Sequence, residues 1–310
     1  MPISFVCPVY HGEKTIRRAA MSFLDCAGRQ EGDELVFVCD GNEEDASLKA
    51  IEDLLEEHKE IVFLYPKMRM GAMKARLVGI EHAKNDRIGF LDVDDALSIK
   101  ALQRIHGDLA KKDYDILNYS FYIEKGGKVR KNAFVAKEGE LSKAEAYKRL
   151  LNDASIRGFL WTKIFKKNLL LGVYLPQGER VMFEDTCFTC YSFSKAETFF
   201  YSPEPIYLYH KGEVSAITTP RTDRTACHLA SLAMARAYLE TESPELLPIF
   251  FRSKLRSYLS VLYDLSQDKK FGLGKAEAKQ LKKAFSAIFS SKEKLEFDPI
   301  YQEKIDPRFR

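Results

Sequence analysis

The feature that most constrains this chain is an alternation in its first hundred residues. Short apolar runs take turns with stretches of helical spacing. Residues 3–9, "ELVFVCDG" from Glu34, "IVFLY" from Ile61 and "IGFLD" from Ile88 read as buried strands. Between them, residues 14–26, 47–58 and 71–83 carry apolar side chains at helical spacing, such as Ile16, Ala19, Ala20, Phe23 and Leu24. Strand-helix alternation of this kind implies right-handed crossovers and a mostly parallel sheet with helices on both faces, an α/β fold. Ligands of such sheets bind beyond the carboxyl ends of the strands, where strand order reverses. The ends at Pro8-Val9-Tyr10, Asp40-Gly41-Asn42 and Asp92-Val93-Asp94-Asp95 are therefore expected to line one crevice.

The last of these ends poses a physical problem. Three carboxylates within four positions repel one another unless something positive sits among them. A DxD after a strand sends two carboxylates to one side and Val93 to the other. Mg2+ and Mn2+ bind through one or two carboxylates together with substrate phosphate oxygens. A helix cap by Asp95 or Ser98 explains one acid and leaves Asp92 without a role. Asp40 can accept hydrogen bonds from a base or ribose, or simply precede the turn at Gly41. Arg76, on the helix opening at Gly71, can offer charge to phosphates or lie on a solvated face.

Beyond residue 96 the alternation loosens. Residues 99–111, 143–152 and 161–171 have helical spacing, "DILNYSFYI" reads as a strand and "EKGGK" as a hairpin turn. A helix is expected from near Glu184. "TFFYSPEPIYLYH" reads as two short strands broken by Pro203 and Pro205. From Thr222 onward the chain reads mostly as helix, which sets a boundary at Pro220 between residues 1–220 and a C-terminal helical region, 221–310.

The net charge of +3 is too small to imply a nucleic-acid partner. From residue 221 on, 17 Lys and Arg face 12 Asp and Glu, so the tail holds about five of the positive charges and the remainder is slightly acidic. An apolar stripe there (Phe251, Leu255, Tyr258, Leu259, Leu262) beside Arg252, Lys254 and Arg256 is read as a packed helix, with peripheral membrane contact as the sharper alternative. Six scattered cysteines suit reduced thiols of a cytoplasmic protein, and Cys187-x-x-Cys190 lacks the second pair of a zinc site.

The stretches "ISFVCPVYHGEKTIRRAAMSFLDC", "ELVFVCDGNEED", "GAMKARLVGIEHAKNDRIGFLDVDD", "LWTKIFKKNLL" and "MFEDTCF…PIYLYHKGEVS" resemble, in order, the motifs of family 2 glycosyltransferases with the Rossmann-like GT-A fold. The resemblance spans about residues 3 to 217. It implies inverting transfer of a sugar from a nucleotide-diphosphate sugar, UDP favoured, to an acceptor hydroxyl on a glycan or lipid-linked sugar, with Mn2+ or Mg2+. By position it implies that Pro8, Val9, Tyr10, Asp40, Arg76, Asp92 and Val93 bind the nucleotide sugar and that Asp94 ligates the metal. Asp185 of the Glu184-Asp185 pair would be the general base, kept ionised by the helix start. Trp161, Lys163 and His210 would stand near acceptor or phosphates, although core packing for Trp161 and a structural role for His210 fit the residues as well. The chain departs from the pattern at Cys39, Leu77 and Asn85. Two alternatives remain: an inactive GT-A-like binding module, and a metal-dependent phosphotransferase of the haloacid dehalogenase type, which needs acids after its first strand.

Overall fold

A computed structural model describes residues 1–41, 46–66, 69–152, 154–173, 184–212 and 234–250. Its first half follows the alternation: β1 (Ser4–Val9), α1 (Ile16–Leu24), β2 (Glu34–Cys39), α2 (Glu52–Glu57), β3 (Ile61–Leu64), α3 (Ala72–His82) and β4 (Arg87–Phe90). The four strands lie in the order β3-β2-β1-β4, all parallel. β1 and β2 are buried along their whole length, which is why they read as unbroken apolar runs rather than alternating ones. α1 buries Ile16, Ala19, Ala20 and Phe23, one stripe of its surface.

The second half is built differently. β5 (Ala96–Leu97), α4 (Ala101–Leu109), β6 (Ile116–Lys125), β7 (Lys128–Lys131), β8 (Gly139–Leu141) and α5 (Lys143–Leu151) lead to β9 (Lys163–Lys166), α6 (Glu184–Lys195) and β10 (Phe199–His210). β9 lies antiparallel between β4 and β6 and so joins the two halves into one sheet. The parallel ladders carry most of the pairing, with antiparallel β5, β7, β8 and β9 added.

Three expectations need correction here. Residues 161–171 are not a helix but β9 flanked by two single 3-10 turns. β9 sits mid-sheet, so Lys163, Ile164 and Phe165 are all buried, and the strand loses the alternation that would mark it. Residues 199–210 form one strand, not two. β10 continues past Pro203 and Pro205 through register shifts against β6, a bulge that accommodates residues lacking an N–H. α2 is shorter than 47–58, its first turn being a 3-10 turn over Lys49–Ile51. The hairpin turn holds: Lys125 pairs Lys128, with Gly126 and Gly127 at φ of 58° and 76°, which a two-residue turn requires.

Most of the 221–310 region lies outside the described residues, including the Phe251–Leu262 stripe; 234–242 and 247–250 are helical. Among the described residues no helix is long and apolar enough to cross a membrane.

α3 packs against β1 and β2 at its only glycine, Gly79. A Cβ there would stand 2.3 Å from Val6 Cγ1 and 3.0 Å from Val38 Cγ2. Gly79→Ala should therefore destabilise the protein by about 1–3 kcal/mol. Gly107→Ala, in the open face of α4 where an added Cβ meets nothing within 4 Å, should stabilise by about 0.5–1 kcal/mol. Urea unfolding of both variants measures the contrast.

Candidate active site

Because β2, β1 and β4 are parallel neighbours, their carboxyl ends share one edge of the sheet. Val9 pairs Cys39, the Asp40 N–H donates to Val9 O at 2.6 Å, and the Leu91 N–H donates to Val6 O at 3.1 Å. Asp40 and Asp92 thus flank β1, about two strand spacings (~10 Å) apart. The strand order 3-2-1-4 reverses between β1 and β4, so this is the switch point of the sheet.

At the β1–β2 end, Pro8 and Val9 are buried within β1, so their side chains belong to the core and only Tyr10 reaches solvent. The Tyr10 ring carries the Arg69 guanidinium 4.3 Å from its centroid and has His11 against it at 4.3 Å. Asp40 is buried, and its Oδ1 accepts the Met70 and Gly71 N–H groups at 2.6 and 2.7 Å. It therefore fixes the segment that launches α3 and carries Arg69. An exposed aromatic ring beside a carboxylate is a surface on which a planar base can stack and hydrogen-bond.

At the β4 end each acid has a different environment. Asp92 Oδ1 accepts the Arg76 guanidinium at 2.6 Å. Arg76 is buried, so its charge answers carboxylates rather than lying on a solvated helix face. Asp95 is buried and takes the Tyr207 hydroxyl at 2.8 Å and the His210 N–H at 2.7 Å. Burial, then the charges of Asp92 and Asp94, push its pKa up to about 8. Asp95 supports the loop; it does not cap α4, and neither does Ser98, whose hydroxyl donates to Pro205 O at 2.8 Å. Asp94 reaches solvent, yet the protein packed around its carboxyl, followed by the Asp92 charge, raises its pKa. A carboxylate left in like-charged company favours a cation. Val93 turns inward over Gly12, its Cγ2 2.8 Å from where a Cβ would stand.

Asp185, in the first turn of α6, is half-buried. Burial raises its pKa; the charges of Arg76 and Lys163 oppose that rise and Asp92 adds to it. The expected lowering by the helix start is overturned, because desolvation outweighs it. Those four charges converge from α3, the β4 loop, β9 and α6. The Glu184 side chain lies outside the described residues.

Lys163 is fully buried, its ammonium donating to Arg157 O, to Phe159 O at 2.6 Å and to Thr162 Oγ1 at 3.2 Å. Trp161 is also buried, its ring stacked on Phe159 at 4.7 Å and on Tyr207 at 4.3 Å. Neither is an open platform for a sugar or phosphate: Lys163 holds the 157–159 loop, and Trp161 fixes Tyr207. His210 is half-buried, its Nδ1 3.9 Å from Asp95 Oδ1 and without a hydrogen bond among the described residues. Burial, then the Arg18 charge, lowers its pKa and keeps it a neutral imidazole.

Several participants carried no signal in the sequence reading. Arg69 lies two residues before the Gly71 helix start. Arg18 bonds Asp94 O from α1. Tyr207 accepts the Asp92 N–H at 3.0 Å while donating to Asp95. The period-2 spacing of Tyr207 and Tyr209, both parallel to the Trp161 ring, was the one readable clue. Cys187 and Cys190 are both buried, and among the described residues no cluster of three or more His, Cys, Asp or Glu could hold a metal alone.

The sequence profile of glycosyl transferase family 2 matches residues 4–161, just over half the chain. The chain belongs to that family. Family membership sets aside the phosphotransferase alternative, whose acids would have to follow β1, where Pro8, Val9 and Tyr10 stand. EpsH of Bacillus subtilis (strain 168), whose assignment as a glycosyltransferase is itself provisional, is 27% identical over 218 residues, 67% of this chain and 60% of EpsH. The chain thus spans less than two thirds of that relative. TarS of S. aureus, solved in complex with UDP-GlcNAc, superposes with a TM-score of 0.67 at 18% identity, over 92% of this chain and 88% of that one. The mannosyltransferase PcManGT from Pyrobaculum calidifontis, in complex with GDP-Man and Mn2+, gives 0.53 at 15%, over 94% and 81%. These likenesses show that the fold is GT-A.

One consequence concerns pH. The folded state holds the Asp95 proton more tightly than the unfolded chain does. The associated stability is complete below about pH 4 and is lost as pH rises through about 8. In a metal-free buffer the melting temperature should fall between pH 6 and 9, and Asp95→Asn should flatten that fall. Thermal denaturation of both proteins across that range is the check.

Proposed function

We propose that the chain is an inverting, metal-dependent glycosyltransferase that moves a sugar from a nucleotide-diphosphate donor, a UDP-sugar by preference, to an acceptor hydroxyl. The acceptor is a growing cell-surface glycan or a lipid-linked sugar. The observation that carries this reading is the convergence of Asp92, Asp185, Arg76 and Lys163 beside the strand edge that presents Tyr10 and Asp40. The nucleotide-sugar complexes of TarS and PcManGT support the donor class.

The base lies against Tyr10, and Asp40 accepts its ring N–H. The diphosphate extends toward Asp94. Asp94 would hold Mn2+ or Mg2+, with neutral His210 Nδ1 close by; the single exposed acid fits an ion whose remaining ligands are donor phosphate oxygens. When bound, such an ion neutralises the charge that builds on the leaving diphosphate. Arg76 holds Asp92 in place. Asp185 takes the acceptor proton as the acceptor oxygen forms its bond to C1 and the C1–O bond to the diphosphate breaks. A base with a raised pKa accepts a proton more readily near neutrality, and the charges of Arg76 and Lys163 oppose the rise.

Asp185→Asn should lower kcat by about 10²–10⁴-fold while leaving calorimetric affinity for the donor within a few-fold of the parent. Retained turnover would remove Asp185 from the mechanism. The acidic limb of kcat in the parent should fall above the ordinary aspartate range, in keeping with the raised pKa.

A further inference from the structure

The segment from Lys125 to Lys137 has no part in the chemistry above. It contains five cations (Lys125, Lys128, Arg130, Lys131 and Lys137) and no acid. Among the described residues β7 pairs only with β6, and it is exposed at every residue. The turn glycines Gly126 and Gly127 face open space. Val129, Phe134 and Val135 are 58%, 57% and 46% exposed, three of the few large apolar side chains on the described surface. The Arg157 guanidinium lies 4.5 Å from the Phe134 ring centroid and holds the ring in place.

Lysines on a free strand edge are a common guard against edge-to-edge aggregation. That accounts for the cations but not for a valine on the same edge or for the exposed Phe134 and Val135 after it. Cations interleaved with apolar side chains fit a surface that is negatively charged outside and apolar beneath, an anionic bilayer. A polyanionic polymer would answer the charges and gain nothing from Val129 and Val135.

Position strengthens the case. β6 and β4 are both antiparallel to β9, so β6 ends at the same sheet edge as the carboxylates. His210 pairs Glu124, and the Lys211 N–H donates to Glu124 O at 2.8 Å, directly beside the base of the hairpin. A surface docked here would lie alongside the mouth of the crevice.

We propose that the β6–β7 hairpin together with residues 132–137 is a docking surface for anionic lipid bilayers. This stands apart from the tail, residues 221–310, and holds whether or not the transfer reading is correct. The test is co-sedimentation of the full chain with phosphatidylcholine vesicles, with and without phosphatidylglycerol. Binding should require the anionic lipid and weaken with salt. Lys128→Glu with Arg130→Glu should reduce it at least tenfold, each cation contributing about fivefold. Val129→Ser with Phe134→Ser should also reduce it at least tenfold, and both pairs should keep the parent melting temperature because all four side chains are exposed. No binding to anionic vesicles, or binding unchanged in both variants, overturns the proposal. Loss in the charge variant alone would mean a general polyanion surface and would overturn the lipid assignment.

Discussion

Three like charges held at one strand end are the constraint around which this molecule is arranged. Asp92, Asp94 and Asp95 cannot all remain ionised and unpartnered at such range. Each is answered by a different part of the fold. α3 supplies Arg76 to Asp92. β10 supplies the Tyr207 hydroxyl and the His210 N–H to Asp95, which also tends to keep its proton. Asp94 is the most exposed of the three, with its backbone carbonyl tied to Arg18. The loop is thus anchored on both sides, and one carboxylate remains presented outward.

The second half of the sheet makes that anchoring possible. β9, inserted antiparallel beside β4, lets β6 and β10 join the sheet, and β10 carries its polar end to the acidic loop. Tyr207 is held by the stack on Trp161, and burial with the Asp92 and Asp95 charges keeps it a neutral phenol that can donate. Lys163, at the start of β9, pins the 157–159 loop, and Thr189 on α6 donates to Gly158 O at 3.0 Å. The loop, β9 and the helix bearing Asp185 are therefore mechanically one unit. Two side chains that look like candidates for direct contact with substrate are instead buried supports, Trp161 of Tyr207 and Lys163 of the 157–159 loop.

The first half was legible because its signal is repeated and local. Four buried runs, three amphipathic stretches and acids at the strand ends agree with one another, and the crevice follows from parallel topology alone. The second half was harder because central strands bury both faces and lose their period, as Lys163–Lys166 does. Trp161, Ile164, Phe165, Leu169 and Leu170 happen to repeat at helical intervals. Pro205 marked a bulge rather than a strand end, since the pairing of β10 with β6 resumes beyond it. Partners that meet across long sequence separations, such as Tyr207 with Asp95 or Arg69 with Tyr10, leave no trace in spacing. The sign of the Asp185 shift depended on how deeply the site is desolvated, which a helix start alone does not reveal.

The most direct test is a crystal structure of the full chain with UDP and Mn2+. The account expects the uracil against Tyr10 and within hydrogen-bond reach of Asp40, the diphosphate directed at the β4 end, and the ion on Asp94. A nucleotide bound away from the edge shared by β2, β1 and β4, or an ion on ligands that exclude Asp94, would contradict it.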